Sequence, residues 1–92
     1  MSATYDIGDV VTMQAIFTDN GEIVFPNEVT CSVKPPGRDS ETANVEFHEE
    51  QGTYTAIVEP DVKGTWYYRF QGVGNYEAAE EGVFSVRRQR VT

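Results

Sequence analysis

One histidine, one cysteine and fifteen carboxylates are the residues of this 92-residue chain whose types could do chemistry. His48 is the sole imidazole. General-base or nucleophile-activating work needs such a ring held between a nucleophile and an orienting group. His48 stands instead in the alternating stretch Val45-Glu46-Phe47-His48, which reads as an exposed position of a strand. Cys31 alternates with Val29 and Val33, the setting of a small buried hydrophobe. A reactive thiol needs partial exposure and an electropositive neighbourhood. With one cysteine there is no intramolecular disulfide, and one His plus one Cys make a zinc site only if carboxylates supply the remaining ligands.

The carboxylates invite calcium or glycoside chemistry. Asp19-Asn20-Gly21-Glu22 has the turn of a calcium loop but lacks the alternating oxygen ligands and the distant Glu. Two carboxylates can hydrolyse a glycoside when they flank a pocket, and a chain this short has little depth to offer one. Glu49-Glu50 and Glu80-Glu81 read as solvated, mutually repelling surface charge. No GxxxxGK[ST] or GxGxxG occurs, and Gly72-Val73-Gly74 is not followed by a helix signal. These readings leave no catalytic residue, no metal ligand and no cofactor, and the expectation is a protein that is not an enzyme.

Surface charge carries more information. The formal net charge is −8 and the pI about 4.4, which argues against nucleic acid and against anionic membranes as partners. The charge is uneven. Positions 1–86 hold all fifteen acidic residues and four basic ones, a net of −11, and Arg87, Arg88 and Arg90 give the last six positions +3. That short basic arm, 87–92, has two readings: a handle for an acidic neighbour or a second copy, or protection of a sheet edge against unwanted pairing. Tyr67 and Tyr76 fall outside the expected core face. Tyrosine suits contact patches, and it also suits cross-strand pairing on a solvated sheet.

The elements that must position these residues are strands. Period-two alternation recurs, with turn signals every eight to twelve residues, and βαβ alternation is absent. Expected strands are Thr4–Ile7 at an edge, Val10–Thr18 with Val11, Met13, Ala15 and Phe17 on one face, Val29–Val33, Val45–His48, Thr53–Glu59, Thr65–Gln71 with Trp66, Tyr68 and Phe70 inward, and Tyr76–Arg88 with Phe84 and Val86 inward. Arg38–Asn44 reads as a polar loop, Val62 as a plug under a Pro60–Gly64 corner, Gly82 as a bulge or break, and Phe47 as a core position. Tyr76–Glu81 is the one helix-tolerant stretch and is too short to stand alone. The sum is a single all-β domain over 1–92: an antiparallel sandwich of about seven strands. The start lacks a basic and an apolar leader region, and the sequence reads as a whole gene product folded in a reducing cytoplasm.

The run Gly52-Thr53-Tyr54, Pro60, Gly64-Thr65-Trp66-Tyr67-Tyr68-Arg69-Phe70, Gly72 and Gly82-Val83-Phe84-Ser85-Val86, with the opening Tyr5-Asp6-Ile7-Gly8-Asp9-Val10-Val11 and the turn Thr18-Asp19-Asn20-Gly21, resembles a bacterial and phage immunoglobulin-like module. It looks like the small free-standing immunoglobulin-like proteins encoded among head and tail genes of tailed bacteriophages and prophages. The resemblance spans Tyr5 to Val86. Cys31 is unpaired, so the Cys…Trp…Cys spacing of antibody domains is absent. What the resemblance implies is an immunoglobulin-like β-sandwich located in the virion: a capsid decoration or accessory subunit, or a neck or tail piece. Its partners would be other virion proteins such as the major capsid protein or neck and tail subunits. No catalytic residues come with the pattern. The competing expectation is a carbohydrate or host-surface binding module, motivated by Tyr67, Tyr76 and Trp66.

Overall fold

A computed structural model describes residues 3–87, and these contain strands and turns but no helix. The seven expected strands are present: β1 (Ala3–Asp6), β2 (Val11–Ala15), β5 (Glu28–Lys34), β7 (Val45–His48), β8 (Thr53–Val58), β9 (Gly64–Val73) and β10 (Ala78–Arg87). Three short additions complete the set: β3 (Thr18–Asp19) and β4 (Glu22–Ile23), which form a hairpin, and β6 (Glu41–Ala43). A five-stranded sheet has the order β1-β10-β9-β5-β6 and a three-stranded sheet the order β2-β8-β7. The fold is an all-β sandwich, as the strand pattern leads one to expect. All pairings are antiparallel except β1 with β10, which run parallel, Ala3 opposite Phe84 and Asp6 opposite Arg87.

Alternation sets the core. Val11, Met13 and Ala15 are buried on β2, and Tyr54 and Ala56 on β8. They meet Cys31 and Val33 of β5, Trp66 and Phe70 of β9, and Phe84 and Val86 of β10 in one apolar cluster, to which Phe17 adds a fully buried ring. Side chains two apart point to one face, so the intervening residues form the outer faces. Trp66 stacks on Phe84, ring centroids 5.8 Å apart, and its indole N–H donates to the carbonyl of Val62 at 3.0 Å. Val62 is half-buried there, and the corner is tied further by a two-point ion pair between Arg38 and Asp61, closest approach 2.7 Å.

Four expectations are corrected. The segment Glu41–Ala43, expected within a loop, adds β6 to the edge of β5, with Ser32 opposite Thr42. The last strand starts at Ala78, so Tyr76 lies in the turn before it. Gly82 is neither a bulge nor a break: β10 keeps continuous register through it, with Gly82 opposite Tyr68. A Cβ at Gly82 would stand 2.3 Å from the Tyr68 ring, so the glycine exists to receive that ring across the strand pair. Phe47 shares a face with the buried Tyr54 but is 47% exposed, because β7 is the outer strand of the smaller sheet.

Candidate functional site

The expected site residues are spread over the molecule. Tyr67 points outward from the middle of the larger sheet, 58% exposed, between Lys34 on β5 and Val83 on β10. Beside it runs a shallow groove of about 390 Å³, lined by Ser32, Lys34, Ser40, Arg69 and Glu81. Arg69 bonds Glu81 across the strands at 2.8 Å. Tyr76 stands in the β9–β10 turn. It is separated from Tyr67 by the upper half of β9, roughly 20 Å at the rise of an extended strand, so the two tyrosines do not form one patch.

Arg87 closes the other end. Its guanidinium meets Asp6 at 2.5 Å, and its carbonyl accepts the N–H of Ile7 at 3.1 Å. The hydrogen bond to Asp6 holds Arg87 above its ordinary pKa. Arg87 is thus tied into the β1–β10 edge, while Arg88 and Arg90 lie outside the described residues. His48 is exposed on β7, with Nε2 2.8 Å from Thr55 Oγ1. Cys31 is fully buried, and burial pushes its thiol up to about 11, away from nucleophilic character at neutral pH. Among the described residues no three His, Cys, Asp or Glu side chains converge as a metal site, and no helix is long and apolar enough to cross a membrane. Trp66, 1% exposed, has no face free for a ligand.

A different surface was missed in the sequence. Where β2 crosses to β5, the chain passes over one end of the sandwich. Asn20 and Gly21, both with positive φ, close the β3–β4 hairpin. Val24 is buried and its N–H bonds the carbonyl of Phe17 at 2.9 Å. Its neighbours Ile23 and Phe25 therefore face out, 49% and 48% exposed. Both lean on Gly52 in the β7–β8 turn: a Cβ there would lie 3.6 Å from Ile23 and 3.6 Å from Phe25. Phe25 meets Phe47 edge to face at 5.6 Å, and Phe47 lies 4.8 Å from Tyr54. Asn75 in the β9–β10 turn donates to the carbonyl of Phe25 at 3.3 Å, and Pro26 packs on Gly72. Three turns thus hold one exposed apolar cluster, Ile23–Phe25–Phe47. The sequence signal was the pairing of Phe25 with the strand-ending Pro26, and of Phe47 with an edge strand.

No protein-family model matches the chain, and no curated protein matches it. Among solved structures, the fold is similar to part of a putative glycoside hydrolase from Bacteroides vulgatus, with a TM-score of 0.64 at 19% sequence identity. The match covers 97% of this chain and 17% of that one, so this chain spans about a sixth of that protein's length. At that identity the likeness is one of fold.

Proposed function

We propose that this domain is a non-enzymatic docking protein, a virion structural component that decorates the capsid or serves as an accessory, neck or tail subunit. The observation that carries the docking reading is the half-exposed Ile23–Phe25–Phe47 cluster, since contiguous apolar surface rather than scattered apolar residues marks interaction sites. The particle reading rests on the resemblance of the run from Tyr5 to Val86 to phage immunoglobulin-like modules, a run whose Trp66, Phe70, Phe84 and Val86 serve the core. A small subunit copied many times gains attachment from avidity more than from one deep site. Mass spectrometry and electron microscopy of purified particles test this. The protein is expected at a stoichiometric multiple on the particle, and its absence there overturns the reading.

A second reading, a carbohydrate or host-surface binding module, draws on Tyr67 above the groove of Ser32, Lys34 and Arg69, an aromatic ring beside hydrogen-bonding groups. The fold likeness to a portion of the Bacteroides protein is compatible with it. The burial of Trp66 removes the ring best suited to sugar stacking. A glycan array probed with the domain and with Tyr67→Ala decides: binding by the parent that the variant loses supports the module, and no binding removes it.

A further inference from the structure

We propose that the end of the sandwich built by Ile23, Phe25 and Phe47 docks a protein partner whose contact surface has an apolar centre ringed by lysine and arginine. The inference rests on the docking reading above, though not on the partner being a virion.

The centre of the patch has the chemistry of a contact hot spot. A single exposed apolar side chain on a small domain is ordinary, but two exposed aromatic rings in edge-to-face contact, with the exposed Ile23 against the same glycine as Phe25, are not. The cluster is also held in shape. The hairpin at Asn20-Gly21, the bond from Val24 to Phe17 and the bond from Asn75 to the Phe25 carbonyl fix its backbone on three sides. A surface ordered before contact has less entropy to lose on binding.

The rim identifies the partner. The segments that build this end, 19–28, 44–52 and 72–77, carry seven carboxylates and no lysine or arginine. Among the described residues the three ion pairs engage Asp6, Asp61 and Glu81, so none neutralises a carboxylate of these segments. Glu22 leaves the hairpin beside Ile23, and Glu49 and Glu50 sit in the turn beside Phe47. Complementary potential across an interface sets partner choice and encounter rate, so an acidic rim about an apolar centre selects a basic rim about an apolar centre. The same charge repels nucleic acid and anionic lipid. It also opposes a two-fold contact between copies, which would press the two acidic rims together.

Selection of random short displayed peptides by the purified domain tests this. The enriched peptides are expected to combine aromatic or leucine residues with lysine or arginine. Their affinity should fall about tenfold or more with Phe25→Ser/Phe47→Ser. It should also fall with Glu49→Lys/Glu50→Lys, a change confined to an exposed turn that leaves the core untouched, and this second loss should shrink as salt is raised. No enrichment, enrichment of acidic or uncharged peptides, or affinity indifferent to both variants overturns the proposal. Sedimentation showing self-association that Phe25→Ser/Phe47→Ser abolishes also overturns it, by making a second copy the occupant. Particle mass spectrometry stands apart: absence from particles removes the virion reading and leaves the peptide result intact.

Discussion

Trp66 ties the corner, the larger sheet and the core together, so its truncation should be felt by all three. Trp66→Ala removes a fully buried ring, its stack on Phe84 and its hydrogen bond to Val62. A loss of about 3–5 kcal/mol is expected in urea unfolding. Gly82 gives a sharper test because its cost should depend on one neighbour. Gly82→Ala forces the Tyr68 ring away from a Cβ that would otherwise lie 2.3 Å from it, an overpacking cost of about 1–3 kcal/mol. In a Tyr68→Val background the same change should cost much less, and a double-mutant cycle reads the difference. Cys31 adds a pH effect. Its thiol titrates near its usual value of 9.0 when unfolded and at about 11 when folded, so the folded state holds the proton more tightly between those values. Stability is therefore full below pH 9 and falls as pH rises toward 11. Burial also raises Tyr54 and Tyr68, which extends the fall in the same direction. Cys31→Ala should flatten the part of the curve just above pH 9, measured by unfolding at a series of pH values.

At the scale of elements, the closing pair β1–β10 is the one most exposed to test. It is parallel, at a sheet edge, and ends in the Arg87–Asp6 contact and the Ile7–Arg87 backbone bond. Truncation after Val86 removes both and should cost about 1–2 kcal/mol. Truncation after Arg87 keeps both and should leave thermal unfolding unchanged. The alternation of Val11, Met13 and Ala15, and that of Trp66 and Phe70, made the main strands readable from residue order, because apolar side chains two apart can share only one face. Glu41–Ala43 was not readable. A polar segment has no apolar period, and what makes it a strand is the row of backbone groups that the β5 edge offers. Gly82 was misread because a glycine in a strand does not disclose the ring that comes across to cover it. Phe47 shows the limit of parity, which assigns a face but not whether a second layer covers that face. Tyr67 was legible as outward, whereas the contact of Phe25 with Phe47 joins residues twenty-two positions apart, and no local pattern encodes it.

The whole molecule is elongated, 48 × 27 × 22 Å, and its charge is arranged along its strands. The end bearing Phe25 is acidic by sequence, and the cations Lys34, Arg38, Lys63 and Arg87 gather toward the opposite end, where β9 begins at Gly64 and β10 finishes. Arg38 and Arg87 are already engaged by Asp61 and Asp6, so the basic-arm reading is tested by removing only the positions after Arg87. If the arm is a docking handle, truncation after Arg87 lowers incorporation into particles while the unfolding curve stays in place. If the arm guards the edge, the truncated domain instead aggregates or pairs edge to edge, and incorporation of the soluble fraction is unchanged. Incorporation measured beside light scattering separates the two. Raising salt should imitate the truncation only in the first case, because screened charges lose attraction for a partner while an edge freed of its charges keeps its unpaired backbone.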